Sequence, residues 1–340
     1  MAVRRGLVLG AGGVLGAAWT VGALRALEEV RGQDPRASEV VVGTSAGSVL
    51  AALVGAGLSA EELHRHQLGE ALPGREIAWD HERGSGPALP PLPRPGPGSV
   101  NLLRTSALHP GQVRPLVTLV GLLPRGRGSL EPLARAVRSV VPEGEWAPRE
   151  GVWVVAVDYG SGARTVFGRE GAPAAGLAEA VTASCAIPGW YAPVVVGGRE
   201  YVDGGSHSPA SADLLAGLGL DEVVVLAPTA SLHPDAPTSV PARLERRWRR
   251  RVTGGLLREV AAVEASGTRV TLLTPGPEDL AAIGANLMDP ARRLEVLETS
   301  LRTSRQALAR LPSARGVRGR RTGGSRTGTP EDPGAGRLAR

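Results

Sequence analysis

The chain has 340 residues, 42% of them hydrophobic, which is enough for a large domain with a sizeable buried core. The single cysteine, Cys185, excludes an internal disulfide framework and a cysteine-rich zinc site, and an aromatic content of 3% disfavours a stacking surface for single-stranded nucleic acid. The formal charge is +6, but residues 313–340 hold seven arginines against two acids, a net +5, which leaves +1 for residues 1–312. The basicity therefore belongs to a tail and does not indicate a specific nucleic-acid partner.

The N-terminal part alternates short apolar runs with helix-compatible sequence. Residues 5–9 predict a buried strand, residues 14–30 a helix, and residues 39–42 a second strand that leads into a helix of small residues. Ser59, with Glu62 three residues on, forms a capping-box pattern that predicts another helix. Two uncharged stretches, residues 6–24 and 40–60, resemble a leader peptide or a membrane span on hydropathy alone. Their many glycines favour strand–turn–helix units instead, so neither a leader nor a span is expected.

The rest of the chain continues this alternation after a loop. Residues 84–98 contain six prolines and four glycines, a composition that predicts neither helix nor strand. Strands are predicted at 152–157, 164–167, 194–196, 201–203, 222–226 and 270–273, and helices at 110–121, 129–141, 174–184, 242–265 and 290–311. Strands that alternate with helices predict an α/β fold with a mainly parallel sheet covered on both faces.

A glycine-rich loop, residues 10–16 (GAGGVLG), lies between the first predicted strand and helix. Such a loop directs free backbone N–H groups at the positive end of a helix, where an anion is stabilised. A dinucleotide is disfavoured because Leu15 stands where its fingerprint needs a third glycine, and no acid closes the second strand. A nucleoside triphosphate would need a lysine, and the chain has none. The loop thus suits a transient oxyanion, unless its glycines only permit close packing.

Residues 43–47 (GTSAG) form a G-x-S-x-G motif after a predicted strand and before a helix. The tight turn of this motif projects the hydroxyl of Ser45 at the helix N-terminus, although a serine there can also be an ordinary cap. The six histidines offer no evident base, and the motif follows fewer strands than in an ordinary α/β-hydrolase. A carboxylate is the other candidate base. Asp203 ends a strand, and two glycines after it permit close approach to another loop, unless it only caps the next helix.

Together, the glycine loop, the GTSAG turn and the DGG at residues 203–205 resemble the motifs of the patatin-like phospholipases. The segments VDYGSG at 157–162 and ASCAIPG at 183–189 are also similar to that family. The resemblance covers residues 5–228 and extends toward residue 311. It implies a three-layer α/β/α patatin-like fold with a mainly parallel central sheet.

The resemblance implies a serine–aspartate dyad that contains no histidine. On this chain Ser45 is the implied nucleophile and Asp203 its base, and the backbone N–H groups of Gly12, Gly13 and Val14 form the implied oxyanion hole. The implied reaction is hydrolysis of lipid esters through an acyl-enzyme on the serine, with no cofactor and no metal.

The chain departs from the family at one position of the glycine loop. Family members commonly carry arginine or lysine where this chain has Leu15. The backbone donors survive this change, so hydrolysis remains expected, whereas substrate preference does not follow from the resemblance. The alternatives are a catalytically idle relative that binds lipid or a partner on the same scaffold, a dinucleotide-dependent oxidoreductase, and a nucleic-acid module that rests on tail charge alone.

The expected domain organisation is one patatin-like hydrolase domain over residues 1–311, followed by a basic, disordered tail over residues 312–340. Within the domain, residues 84–98 are expected to be poorly ordered and to border the entrance to Ser45.

Residues 242–265 predict a basic amphipathic helix that is weakened at its central Gly254–Gly255 pair. Five arginines flank Trp248, and Leu244, Val252, Leu256 and Val260 form an apolar stripe. This pattern favours peripheral contact of a cytoplasmic protein with an anionic membrane. The alternative is an ordinary surface helix whose stripe packs on the sheet. The arginines are Arg246, Arg247, Arg249, Arg250 and Arg251.

Overall fold

A computed structural model describes residues 3–82, 84, 89–233, 235, 237 and 239–311. The strands are β1 (Arg5–Leu9), β2 (Val40–Thr44), β3 (Val152–Asp158), β4 (Arg164–Phe167), β5 (Val194–Val196), β6 (Arg199–Asp203), β7 (Glu222–Leu226) and β8 (Arg269–Leu273). The α-helices are α1 (Gly13–Arg31), α2 (Ala46–Gly55), α3 (Ala60–Gln67), α4 (Val100–Leu108), α5 (Pro115–Leu122), α6 (Glu131–Arg138), α7 (Leu177–Ser184), α8 (Val240–Ala265), α9 (Pro277–Ile283) and α10 (Arg293–Arg310).

The strands form one mixed sheet whose centre is parallel. The order β3-β2-β1-β7-β8 is parallel throughout, and β4, β5 and β6 add antiparallel pairs beside β3. A hairpin joins β5 to β6 through Gly197 and Gly198, both with positive φ, as a two-residue turn of this kind requires. The predicted α/β fold with a mainly parallel sheet is confirmed.

The two faces of the sheet bury different helices. Leu7 and Leu9 of β1 point into a core shared with α1, α2, α7 and α10, whereas Val8 points to the opposite face, where α8 packs. This alternation follows from the two-residue period of a strand. Helices on both sides of the sheet give the three layers that the sequence predicts.

Strand register brings the GTSAG and DGG motifs together. On β3, Val155 pairs with Thr44 of β2, and the next residue, Ala156, pairs with Asp203 of β6. Both residues of β3 also pair with β4. Because β4 occupies one edge of β3, β2 and β6 must follow each other along the other edge. Ser45, which follows Thr44, therefore lies next to the end of β6.

Helices α4 and α9 are absent from the sequence-based assignment, although each has a local N-terminal stabilisation. The Ser99 hydroxyl accepts the N–H of Leu102 at 3.1 Å, and the carboxylate of Asp279 accepts the N–H of Gly276 at 2.9 Å. Residues 84 and 89–98 contain neither helix nor strand, as their composition predicts. Residues 85–88 and the predicted tail, 312–340, lie outside the described residues.

Helix α8 is continuous through its glycine pair, and the C-terminal half of its predicted apolar stripe packs on the sheet and does not face a membrane. Leu256 and Val260 are buried against the sheet. Arg246 and Arg249 are buried as well: Arg246 pairs with Asp235 at 2.8 Å, and Arg249 donates to carbonyl groups of the loop after β7. The apolar side chains exposed on the first half of α8 are Val240, Leu244 and Trp248.

The two uncharged stretches near the N-terminus fold as the units β1–α1 and β2–α2, as their glycines predict. None of the described helices combines the length and apolarity needed to cross a bilayer. The second unit packs so closely on the first that Gly47 has no room for a side chain, since a Cβ there would lie 1.9 Å from the carbonyl oxygen of Leu9.

We expect Gly47→Ala to lower the free energy of unfolding by about 3 kcal/mol or more, because the clash is with backbone that cannot rotate away. Gly254→Ala is the matched control. A Cβ at Gly254 meets nothing within 4 Å in mid-helix, so alanine there should raise the free energy of unfolding by about 1 kcal/mol. Urea unfolding of both variants tests this, and equal stabilities would contradict the packing described.

Candidate active site

Ser45 lies at the junction of β2 and α2 in a strained backbone conformation, with φ 51° and ψ −124°. Positive φ is costly for a residue other than glycine and persists only where the surroundings impose it. Here the Ser45 N–H donates to the hydroxyl of Ser184 at 2.8 Å, and that hydroxyl donates to the carbonyl of Val155 at 2.6 Å. Ser184 thus ties the turn to β3. Sequence reasoning assigned Ser184 no role, although it lies in the family-like segment at 183–189.

Asp203 ends β6 and is 6% exposed. One carboxylate oxygen accepts the N–H of Gly205 at 2.7 Å, and the hydroxyl of Ser45 lies close enough to the carboxylate to affect its pKa. Burial raises the pKa of Asp203 to about 6, against the interactions with Ser45 and Gly205, which lower it. The structure therefore places the two predicted catalytic side chains beside each other.

The three predicted oxyanion donors lie at the start of α1. Within the described part of the chain, the N–H groups of Gly12, Gly13 and Val14 have no backbone acceptor, as expected for the first turn of a helix. Gly13 and Val14 line the cavity that also contains Ser45, whereas Gly12 does not. The helix N-terminus thus presents free donors to the same space as the serine.

Leu15 does not reach this space. Its side chain is fully buried in the core, and its N–H donates to the carbonyl of Leu287 at 3.0 Å. Gly12 is fixed from the other side, because a Cβ there would lie 2.8 Å from the ring of Pro228. The loop is therefore clamped between the segments after β7 and after α9, and it has no basic side chain of its own.

The cavity at Ser45 is lined mainly by apolar side chains, contributed by α1, α2, α6 and the segment around residue 79. Its polar wall includes two histidines, a tyrosine and one arginine, Arg293. The Nη1 atom of Arg293 is buried and has no hydrogen-bond partner among the described residues. The apolar lining residues include Val49, Leu50, Leu53, Ile77, Trp79, Leu130, Leu133, Val137 and Ile187.

The histidines do not contact the dyad. His66 and His81 line the cavity with ring centroids 4.6 Å apart, and burial lowers the pKa of His66 to about 4. His207, four residues after Asp203, is outside the cavity wall, and burial lowers its pKa to about 4 as well. Among the described residues, no hydrogen bond joins a histidine to Ser45 or Asp203.

Cys185 lies beside the dyad and also lines the cavity. Its sulfur is 3.8 Å from the hydroxyl of Ser48, and Ser45 lies nearby on the same cavity wall. Burial, and then the charge of Asp203, raise the pKa of the Cys185 thiol far above its ordinary value. A thiol held neutral in this way is a poor nucleophile, so Ser45 is the nucleophilic candidate of the two.

The family model of the patatin-like phospholipases matches residues 7–216. The chain belongs to the patatin-like phospholipase family. The resemblance seen in its motifs is thereby confirmed, and members of this family are lipid acyl hydrolases.

Two solved structures are similar to this patatin-like chain. VipD from Legionella pneumophila is 15% identical over 91% of this chain and 67% of its own, with a TM-score of 0.42. The type III effector protein ExoU is 16% identical over 90% of this chain and 53% of its own, with a TM-score of 0.34. The chain thus spans about two thirds of VipD and about half of ExoU. A comparison with curated proteins finds no match.

The raised pKa of Asp203 in this patatin-like site implies that the free energy of unfolding depends on pH. Because the folded-state pKa exceeds the unfolded value, the protonated carboxyl stabilises the fold below pH 4, and this contribution is lost as pH rises through about 6. The shift corresponds to roughly 3 kcal/mol. We therefore expect Asp203→Asn to raise the free energy of unfolding at pH 8 by up to about this amount, and to change it little at pH 4.

Denaturant unfolding of both proteins at the two pH values measures this difference. Glu298→Gln is the control, because Glu298 is exposed and the substitution makes the same change from carboxyl to amide outside the site. If Asp203→Asn destabilised the protein at pH 8, the carboxylate would have to be stabilised, not penalised, by its surroundings.

Proposed function

We propose that this protein is a serine acyl hydrolase that cleaves ester bonds of lipids, with Ser45 as nucleophile and Asp203 as base. The observation that carries the proposal is the placement of these two side chains beside each other at the adjoining ends of β2 and β6, where they are 5% and 6% exposed. Asp203 is shielded from water and forms no ion pair with a cation among the described residues. A carboxylate in these surroundings has the basicity needed to accept the serine proton.

The apolar cavity supports an acyl chain as the part of the substrate that it holds. With the chain against α2 and α6, an ester carbonyl can lie between the hydroxyl of Ser45 and the N-terminus of α1. The serine oxygen attacks the carbonyl carbon while Asp203 takes the serine proton. The oxyanion of the tetrahedral intermediate accepts hydrogen bonds from the free N–H groups of Gly12, Gly13 and Val14.

The same residues complete the turnover. The intermediate collapses to an acyl-enzyme on Ser45, and the proton held by Asp203 passes to the leaving alcohol. A water molecule then attacks the ester of the acyl-enzyme and gives its proton to Asp203. The second tetrahedral intermediate releases the fatty acid, and the proton returns to the oxygen of Ser45.

We propose that the hydrolase domain extends over residues 1–311, beyond the segment that the family model matches. Helix α10 supports this extent, because it packs along α1. The hydroxyl of Ser300 donates to the carbonyl of Trp19 at 2.6 Å, and a Cβ at Gly22 would lie 2.7 Å from the carbonyl oxygen of Leu297. Removal of this helix would expose the apolar face of α1 that supports the glycine loop.

We expect Ser45→Ala and Asp203→Asn each to lower kcat/KM for ester hydrolysis by roughly 10³-fold or more, because neither residue has a substitute within reach. The measurement is hydrolysis of p-nitrophenyl esters over a series of acyl lengths, with thermal unfolding as a check on folding. His207→Ala is the matched control and should keep most of the activity, since His207 does not line the cavity.

Labelling by a fluorophosphonate separates this proposal from the catalytically idle alternative. The native chain should be labelled at Ser45, and Ser45→Ala should not. A native chain that neither reacts with the probe nor hydrolyses any ester would favour the idle relative. Near-normal turnover by Asp203→Asn would require another base.

The proposed base also sets the pH dependence of hydrolysis. Since Asp203 must be ionised to accept the serine proton and burial raises its pKa to about 6, kcat/KM should rise tenfold per pH unit below 6 and level off above it. A profile of kcat/KM from pH 4 to pH 9 on a soluble ester tests this. A profile governed by an inflection near pH 4, or a profile that stays flat, would contradict the assignment of a buried carboxylate as base.

A further inference from the structure

Between two residues of the cavity wall, the chain makes a long excursion that contains no acid. Gly84 and Ser129 both line the cavity of Ser45. Between them, residues 85–128 include five arginines and neither aspartate nor glutamate. This stretch carries α4 and α5, whose inner faces pack on the sheet through a small separate core. The excursion therefore begins and ends at the proposed active site.

Helix α5 (PLVTLVGL) is apolar on its solvent face as well as on its buried face. Val117 and Val120 are buried in the core below the helix. Leu116, Leu119 and Leu122 recur every three residues on the opposite face and are 58%, 57% and 56% exposed. A helix that is apolar on all sides is normally covered on all sides, so this face indicates a partner.

Helix α4, which shares this buried core with α5, also exposes apolar side chains. Val100 and Leu108 of α4 are 65% and 62% exposed. Three exposed arginines near them in sequence, Arg94, Arg104 and Arg127, have no ion pair among the described residues. We define the α4–α5 surface as Val100, Leu108, Leu116, Leu119 and Leu122.

We propose that the α4–α5 surface docks the protein on an anionic lipid bilayer. Exposed leucines that enter the headgroup–acyl boundary, together with arginines that meet acidic headgroups, are the two components of interfacial binding. A second copy of this chain is disfavoured as the occupant, because a twofold contact would place the same acid-free, arginine-bearing stretch against itself. Docking on a bilayer rests on the proposed function in one respect: it brings the Ser45 cavity to a lipid substrate.

Docking can be measured in a catalytically inactive variant with a fluorescent label at a single residue. Full-length protein with Ser45→Ala also receives Leu119→Cys and a polarity-sensitive thiol label; the native Cys185 is buried and should not react. Leu244→Cys on the exposed face of α8 is the matched control. With vesicles of phosphatidylcholine and phosphatidylglycerol, the emission of the label at position 119 should shift to shorter wavelength, and that at position 244 should stay unchanged.

Co-sedimentation tests whether the leucines supply binding. In the Ser45→Ala background, the triple variant Leu116→Ser, Leu119→Ser, Leu122→Ser should lose at least tenfold in partitioning to the same vesicles at physiological salt. The corresponding α8 variant, Val240→Ser, Leu244→Ser, Trp248→Ser, should keep it within about twofold. Both variants carry the same basic tail, so the charge of the tail contributes equally to both measurements. Because all substituted side chains are exposed, the thermal unfolding of both variants should be unaltered.

Several results would overturn the proposal. Equal partitioning of the α5 variant and its parent would do so, as would loss confined to the α8 variant. A label at position 119 that shifts without vesicles, and increasingly so with protein concentration, would assign the surface to self-association instead. Because every sample carries Ser45→Ala, absence of hydrolase activity in the native chain would refute the proposed function alone and leave the docking result standing.

Discussion

The proposed site depends on how strands share the edges of β3. Thr44 and Asp203 pair with consecutive residues of that strand, so the parallel strand β2 ends where the antiparallel strand β6 also ends. This arrangement places the serine turn and the carboxylate in contact without any side chain between them. Ser184 adds a second tie to β3, because it joins the N–H of Ser45 to the carbonyl of Val155.

Burial gives this contact its chemical character. In water, a carboxylate is a weak base and a serine hydroxyl a weak nucleophile. Removal of Asp203 from solvent raises its pKa toward 6, while the same removal keeps the neighbouring thiol of Cys185 protonated. One physical effect therefore raises the pKa of the proposed base and keeps the neighbouring thiol neutral. The helix N-terminus adds free N–H donors without a charged side chain, which is consistent with the burial of Leu15 in the core.

The helices on the two sides of the sheet have different roles. Helices α1, α2 and α6 on one side build an apolar cavity at Ser45, and α10 supports α1 from outside. On the other side, Arg246 and Arg249 of α8 make internal contacts that hold the helix to the loop after β7. Its basic sequence is thus partly structural. The acid-free excursion that carries α4 and α5 joins the cavity wall to the exposed leucines.

The sequence by itself determined the alternation of strands and helices, the turn at Ser45 and the strand end at Asp203, because local glycine content and apolar periodicity report local structure. It missed α4 and α9, whose caps stand beside proline-rich sequence. It also assigned Leu256 and Val260 to a membrane-facing stripe, although both pack on the sheet. The apolar pattern along a helix is the same whether that face contacts a sheet or a membrane. The pairing of Ser45 with Asp203, 158 positions away, was implied by the resemblance to the family and follows from no local pattern of the chain. The tertiary structure brings the two residues together through the register of β2 and β6 on β3, because strand register is a long-range property.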